Sequence, residues 1–234
     1  MRHRTAWAGR AFTLVTVRAG GPAAMMYSPM GSRAVADGEG AGGLSYMRDW
    51  LERPGEPASD LDLVVLLLNS LDLLEDPPDR LADLSWLCEV LADVGRDDIG
   101  GALTAGDLAG LRELRESLRA VFQAGSPAEA ASLLNPLLVH AAAVPQLVPC
   151  DGGLRLQVAP GARGLAALSA RLPAALAGHI AHRGMGRLGT CAALPCRCVF
   201  LDRTRGQTRR FCCTACNDRA AAQLYRRRKR AAAG

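Results

Sequence analysis

Residues 191–216 read CAALPCRCVFLDRTRGQTRRFCCTAC, and this stretch decides what the C-terminal part of the chain can be. It holds six of the eight cysteines in a chain of 234 residues. Cys191 and Cys196 form one pair, and Cys212 with Cys216 forms a second after fifteen intervening residues. Two thiol pairs on two turns are the donor set of a tetrahedral Zn2+, because soft ligands from two short loops can converge on one point. Structural disulfides, or reduced cysteines that merely pack, are the alternatives. Cys198 and Cys213 adjoin these positions and leave Cys213 with Cys216 as a rival C-x2-C pair. With all four positions filled, no site is open for water activation, so one structural zinc is expected. A piece of about 45 residues has too little apolar mass to fold alone. Metal binding, worth roughly 10–16 kcal/mol in zinc-finger peptides, would supply the deficit.

The same region is the most basic in the chain. Residues 183–234 hold twelve Arg and one Lys against two Asp, a formal +11. The whole chain carries +5, so the remainder carries −6. An acidic body with a basic tail points the tail at a polyanion, nucleic acid before a membrane surface. Lys229 is the only lysine, and Arg can grip phosphate or guanine through two parallel hydrogen bonds. At about 100° per residue, Arg219, Gln223, Arg226, Arg227 and Arg230 share one face of a C-terminal helix. Ala220, Ala221, Leu224 and Tyr225 gather on the other, which is expected to pack on the zinc hairpin.

That hairpin is expected from two short strands, 197–202 and 207–211, around a Thr204-Arg-Gly206 turn with Gly206 at positive φ. Arg203, Arg205, Arg209 and Arg210 extend the cationic surface from it. Such a face repels itself without an anionic partner. Duplex DNA is the expected partner and RNA the alternative; Phe200, Phe211 and Tyr225 are few aromatics for stacking single strands. A different class is a thiol redox sensor, in which Cys198 or Cys213 attacks a zinc-bound neighbour and oxidation ejects the metal.

Residues 46–182 read as an α-helical domain. LDLVVLLLNSLDLL, residues 61–74, predicts a buried helix, punctuated by Asp76-Pro-Pro-Asp79. Leu84, Leu87, Cys88, Leu91 and Val94 recur at helical steps. Thr104-Ala-Gly-Asp107 and Ser126-Pro-Ala-Glu129 fit capping boxes. After Thr104, Leu108, Leu111, Leu114, Leu118, Val121 and Phe122 form an apolar face, with Arg112, Glu113, Arg115, Glu116 and Arg119 on a solvated one. Residues 147–158 predict a small hairpin turning at 151–153. A last helix spans 163–182, with Pro173 expected to kink or divide it. His179 and His182 are near enough to be considered as ligands, but the cysteine set is fuller. No catalytic constellation is visible, so no enzyme is expected, and this domain is expected to sense a small ligand or a protein partner.

Residues 1–36 contain no acid, and residues 1–45 read as a disordered tail or a mis-assigned start. The weakly apolar run at 11–17 is too short for a secretory signal. No run reaches about eighteen apolar residues, so no membrane span is expected. A cytoplasmic location follows, and its reducing conditions favour metal thiolates.

The stretches Cys191-Ala-Ala-Leu-Pro-Cys196, Val199-Phe-Leu-Asp-Arg-Thr-Arg205, Arg209-Arg-Phe-Cys212, Cys216-Asn-Asp-Arg219 and Tyr225-Arg-Arg-Arg228 resemble the CGNR-type zinc finger. The body resembles its usual ABATE-type partner through Leu66-Leu-Leu-Asn-Ser70, Leu84-Ser-Trp-Leu87 and Leu111-Arg-Glu-Leu-Arg115. The resemblance covers roughly residues 60–230 and implies a stress-linked bacterial transcription regulator whose finger binds zinc and DNA. It also favours Cys212 over Cys213, because Cys212 follows Arg209-Arg-Phe. The family signature Cys-Gly-Asn-Arg is here Cys216-Asn-Asp-Arg219, so the tightest turn is expected to differ. The fold class expected is therefore mainly α: a helical domain at 46–182 with a small β-hairpin, then a treble-clef-like finger at 183–234 made of knuckle, hairpin and helix.

Overall fold

The computed structural model describes residues 59–232. The expectations for residues 1–45 lie outside the described residues, as does the beginning of the 46–182 domain. The fold is mainly α, with two small antiparallel hairpins.

Helix α1 (Asp60–Leu68) starts where the Ser59 side chain accepts from the Asp62 N–H, and Asp60 and Asp62 favour the positive end of the helix dipole. Leu63, Val64, Leu66, Leu67 and Leu68 are buried. The helix stops at Asn69, five residues short of the expected end. Ser70 Oγ turns back to the Leu67 carbonyl at 2.7 Å, Leu71 bridges to Asp79, and Leu73 and Leu74 stand exposed. The leucine run continues beyond Asn69, but its backbone does not. Asp79 then caps a short 3-10 turn by accepting from the Leu81 N–H at 3.0 Å.

Helices α2 (Ser85–Asp93) and α3 (Asp97–Gly100) follow, with Leu87, Val90, Leu91 and Ile99 inward. The capping box at Thr104 and Asp107 leads into α4 (Leu108–Gln123), and Ser126 caps α5 (Pro127–His140) through the Glu129 N–H. Strands β1 (Pro145–Cys150) and β2 (Gly153–Val158) form an antiparallel hairpin around Asp151-Gly152. Its strand leucines Leu147, Leu154 and Leu156 are solvent-exposed.

Helix α6 (Gly164–Arg183) is one continuous helix with Pro173 inside it, so of the kink or division expected there, the division does not occur. Pro173 is itself buried, and α6 packs against α1, α3, α4 and α5. Packing on four neighbours outweighs one missing backbone hydrogen bond. The core joins Leu63, Leu67, Leu87, Leu111, Leu118 and Leu172 from these helices.

The charged face of α4 is solvated at Arg112, Glu113 and Glu116, as expected, but not at Arg115, which is buried, or Arg119, which is half-buried. Arg115 is buried and grips Asp79 through two bonds of 2.7 and 2.9 Å, with a third to Ser70 Oγ at 3.0 Å. Arg112 donates to the Leu81 carbonyl, and Arg119 to those of Leu68 and Arg197. These arginines satisfy the Leu68 carbonyl where α1 ends, the Asp79 carboxylate and Leu81 carbonyl of the turn after it, and the Arg197 carbonyl of the cysteine loop. The Arg115 guanidinium holds the Asp79 carboxyl below its ordinary value.

Candidate metal centre and nucleic-acid interface

After α6 the chain forms β3 (Leu188–Thr190) and β4 (Val199–Leu201), paired antiparallel with Gly189 opposite Phe200. This corrects the expected hairpin: β4 pairs upstream with β3, and residues 207–211 form no strand. The reason lies in Asp202, a buried carboxylate. It accepts from Thr204 N–H at 2.8 Å, Thr204 Oγ1 at 2.6 Å and Arg209 N–H at 2.9 Å, curling 202–209 into a loop. Those hydrogen bonds, led by the Thr204 hydroxyl, hold the Asp202 pKa low. Within the loop Gln207, not Gly206, takes positive φ, at 52°.

Alternation along β4 divides its side chains between two environments. Val199 and Leu201 join the helical core, whereas Phe200 packs among the cysteines. Gly189 makes room for it, since a Cβ there would lie 2.4 Å from the Phe200 ring.

Cys191 and Cys196 occupy the loop joining β3 to β4. The Cys191 N–H donates to the Cys198 carbonyl at 2.9 Å and the Cys196 N–H to that of Ala193 at 3.0 Å. Helix α7 (Thr214–Ala231) begins immediately after Cys213, with Cys212 just before it and Cys216 in its first turn. The sulfurs of Cys191, Cys196, Cys212 and Cys216 all lie within 4.8 Å of one another, and all four residues are buried. Cys196 and Cys212 sulfurs are 3.7 Å apart, and Cys212 and Cys216 sulfurs 3.5 Å. A tetrahedron with Zn–S bonds of about 2.3 Å has S–S edges of about 3.8 Å. The four are thiols, far beyond disulfide bonding distance. This all-sulfur, buried donor set fits one structural Zn2+, which when bound cross-links the knuckle to the head of α7.

Without metal the cluster shares protons. Hydrogen bonds led by Cys191 hold Cys196 well below an ordinary thiol, and the same contacts push Cys212 up. The hydrogen bond to Cys196 raises Cys198, and burial pushes Cys216 up to about 12. A metal entering here displaces thiol protons, so its binding is pH-dependent.

Cys213 lies outside the four-sulfur set, its Sγ 3.8 Å from that of Cys212. Cys198 is buried and belongs to a second, three-residue group with Cys196 and Asp72. The His182 Nδ1 sits 2.8 Å from the Gly178 carbonyl, and neither it nor His179 joins either group. Burial, then nearby Arg183, holds the His179 pKa low.

The eight arginines expected at a nucleic-acid surface separate into two sets. Arg203 pairs with Asp62 of α1. Arg209 lies over the Phe200 ring at 5.0 Å and donates to the Phe211 carbonyl at 3.0 Å. Arg219 donates to the Ala193 carbonyl at 2.8 Å and to Cys216 Sγ at 3.4 Å, bracing the cysteine cluster. Arg205, Arg226, Arg227 and Arg230 are exposed and make no ion pair among the described residues, and Arg210 is exposed over the Phe211 ring. The apolar side of α7 does not pack as expected. Ala220 touches the cluster, but Leu224 and Tyr225 are 50% and 68% exposed. The distal part of the helix projects from the molecule, with every residue from Leu224 to Ala232 exposed.

Residues 61–183, more than half of the chain, match the family described as "Putative stress-induced transcription regulator", ABATE. The chain belongs to the ABATE family. Residues 187–229 match the CGNR zinc finger. No curated protein matches the chain. Among the described residues no helix is long and apolar enough to cross a membrane.

The ABATE helices hold the CGNR finger by contacts that sequence reasoning missed. The Asn69 side chain pairs with both backbone groups of Val199, accepting at 2.8 Å and donating at 2.9 Å, as a neighbouring strand would. Asp72, from the turn after α1, reaches the sulfurs of Cys196 and Cys198. The available signal was a polar Asn-Ser pair inside a leucine run, read there as part of a helix.

Proposed function

We propose that this ABATE protein is a zinc-dependent DNA-binding transcription regulator. Cys191, Cys196, Cys212 and Cys216 hold the metal, the finger at 183–234 docks on duplex DNA, and the helical domain at 46–182 senses a ligand or partner. The observation that carries this reading is the distal part of α7. Arg226, Arg227 and Arg230 stand exposed on a projecting helix without internal acceptors among the described residues. Arg205 and Arg210 add charge from the adjoining loop. Arg203, Arg209 and Arg219 act differently in this reading, shaping the finger through their internal contacts. Phosphate contacts dominate such an interface. The protein works in the cytoplasm, where reducing conditions keep the thiols available to zinc.

The test is the salt dependence of binding to duplex DNA. Log affinity is expected to fall against log salt by about 0.9 per neutralised phosphate. Changing Arg226, Arg227 and Arg230 together to Ala is expected to flatten that slope. An unchanged slope refutes α7 as the contact, and tighter binding to RNA in direct competition replaces DNA with RNA. The redox reading has less support, because Cys198 is buried away from an oxidant in solution. Peroxide-dependent zinc release slowed by Cys213→Ser would revive it.

A further inference from the structure

Two cavities of about 730 and 400 Å³ adjoin in the ABATE domain and share Asp97, Asp98 and Arg171 in their walls. Asp60 of α1 forms one side, Arg155 and Leu156 of β2 another, and Ala174 and Ala175 of α6 a third. A space of this order suits a small molecule.

The charges lining this cleft are incompletely matched. Arg96 is buried and holds Asp60 at 2.8 Å and Asp98 at 3.2 Å. Arg171 is buried too, and its ion pair is with the same Asp98, at 3.3 Å. Asp98 thus faces both Arg96 and Arg171, and among the described residues the lining holds four arginines, Arg96, Arg155, Arg163 and Arg171, against three acids, Asp60, Asp97 and Asp98. The Arg171 Nε has no hydrogen-bond partner among the described residues, as is also true of the Nε of Arg80, Arg119 and Arg219, but Arg171 alone of these lines the cleft. Arg155 and Arg163 stand exposed at the mouth and make no ion pair among the described residues, with Asp97 the remaining acid in the lining.

We propose that this cleft is the effector site of the ABATE domain and takes a small organic anion, gripped by Arg171 from within and by Arg155 and Arg163 at the mouth. A guanidinium fork suits carboxylate and phosphate alike. Leu156, Val158 and Ala175 offer an apolar wall to the carbon body of such a molecule. The proposal rests on the reading that the helical domain senses a ligand, and it names the chemical class. Helix α1 connects the cleft to the finger: Asp60 lines the cleft, Asp62 pairs with Arg203, and Asn69 clamps Val199. An anion that competes for Arg96 or Arg171 acts on the helix that carries the finger. By linkage, DNA and the anion then alter each other's affinity by the same factor.

The experiment is calorimetric titration of the zinc-loaded full chain with inorganic phosphate, succinate and glucose 6-phosphate as probes. At least one is expected to bind saturably, one per chain. The exposed pair Arg155→Ala and Arg163→Ala is expected to weaken it by about tenfold or more, as loss of charge-assisted hydrogen bonds does. Changing Arg226, Arg227 and Arg230 to Ala is expected to leave it within about twofold, since distant sites act independently. Lack of saturable binding by all three probes overturns the proposal. So does binding that ignores Arg155 and Arg163, or that vanishes with the three α7 arginines. Loss of DNA binding with anion binding intact would leave the cleft standing, so the two readings fail separately.

Discussion

Helices α4 and α7 both carry arginine-rich faces, yet the structure sets those arginines in opposite surroundings. On α4, Arg115 is buried against the Asp79 carboxylate, Arg119 reaches the carbonyls of Leu68 and Arg197, and the exposed Arg112 reaches that of Leu81. On α7, Arg226, Arg227 and Arg230 meet no such groups among the described residues, because the helix has left the body behind. Sequence alone ranked the two faces by their acids: α4 has Glu113 and Glu116 interleaved, and distal α7 has none. On α4 the solvated reading holds for Arg112, Glu113 and Glu116 and fails for Arg115 and Arg119. An arginine is available to an outside partner only where its own fold offers no acceptor.

Zinc removal is the severest way to test this difference. Chelation, or Cys196→Ser, is expected to unfold the finger and melt α7 while the α4 contacts to Asp79 persist. The metal contributes on the order of 10 kcal/mol in comparable peptides, and far-ultraviolet circular dichroism would report the lost helix. A finger that keeps its structure without metal would remove zinc as its organiser.

Breaking α4 comes next. Arg115→Ala strands Asp79 and is expected to cost about 3 kcal/mol in denaturant unfolding, the low end for a buried pair because Asp79 is a third exposed. A loss near zero would make the α4 arginines as dispensable as a surface pair.

The joint between the two regions is expected to be slightly weaker. Asn69→Ala leaves both backbone groups of Val199 without partners, a loss of about 2 kcal/mol. Hydrogen exchange at the Val199 amide should rise with it. Unchanged protection would deny Asn69 its role in holding β4.

Acid probes α4 more gently. The Asp79 pKa lies below its ordinary 3.8 in the folded chain, so its pairing stabilises fully above that value. The contribution is lost as pH falls through the folded pKa. The stability gap between the native chain and Asp79→Asn should therefore be widest above about pH 4 and close below it. A gap that widens in acid would reverse the sign.

The smallest effect is expected on α7 itself. Arg226→Ala, Arg227→Ala and Arg230→Ala should each change stability by less than about 0.5 kcal/mol, as exposed substitutions do, while the DNA salt slope falls. A large loss of stability would show that these side chains have internal partners.

What the sequence by itself determined is whatever local chemistry fixes. Six cysteines in 26 residues announced a metal module, Thr104 and Ser126 announced helix starts, and Asp151-Gly152-Gly153 announced a hairpin turn. Each signal lies within a short stretch of sequence, the longest being the 26 residues of the cysteine module. Only the tertiary structure decided where α1 ends, which strand β4 pairs with, and whether Pro173 interrupts its helix. Those outcomes turn on residues far apart in the chain: Asn69 with Val199, Arg115 with Asp79, and α6 against four other helices. Periodicity records which face of a segment is apolar, but not which stranded polar group a neighbouring segment must satisfy.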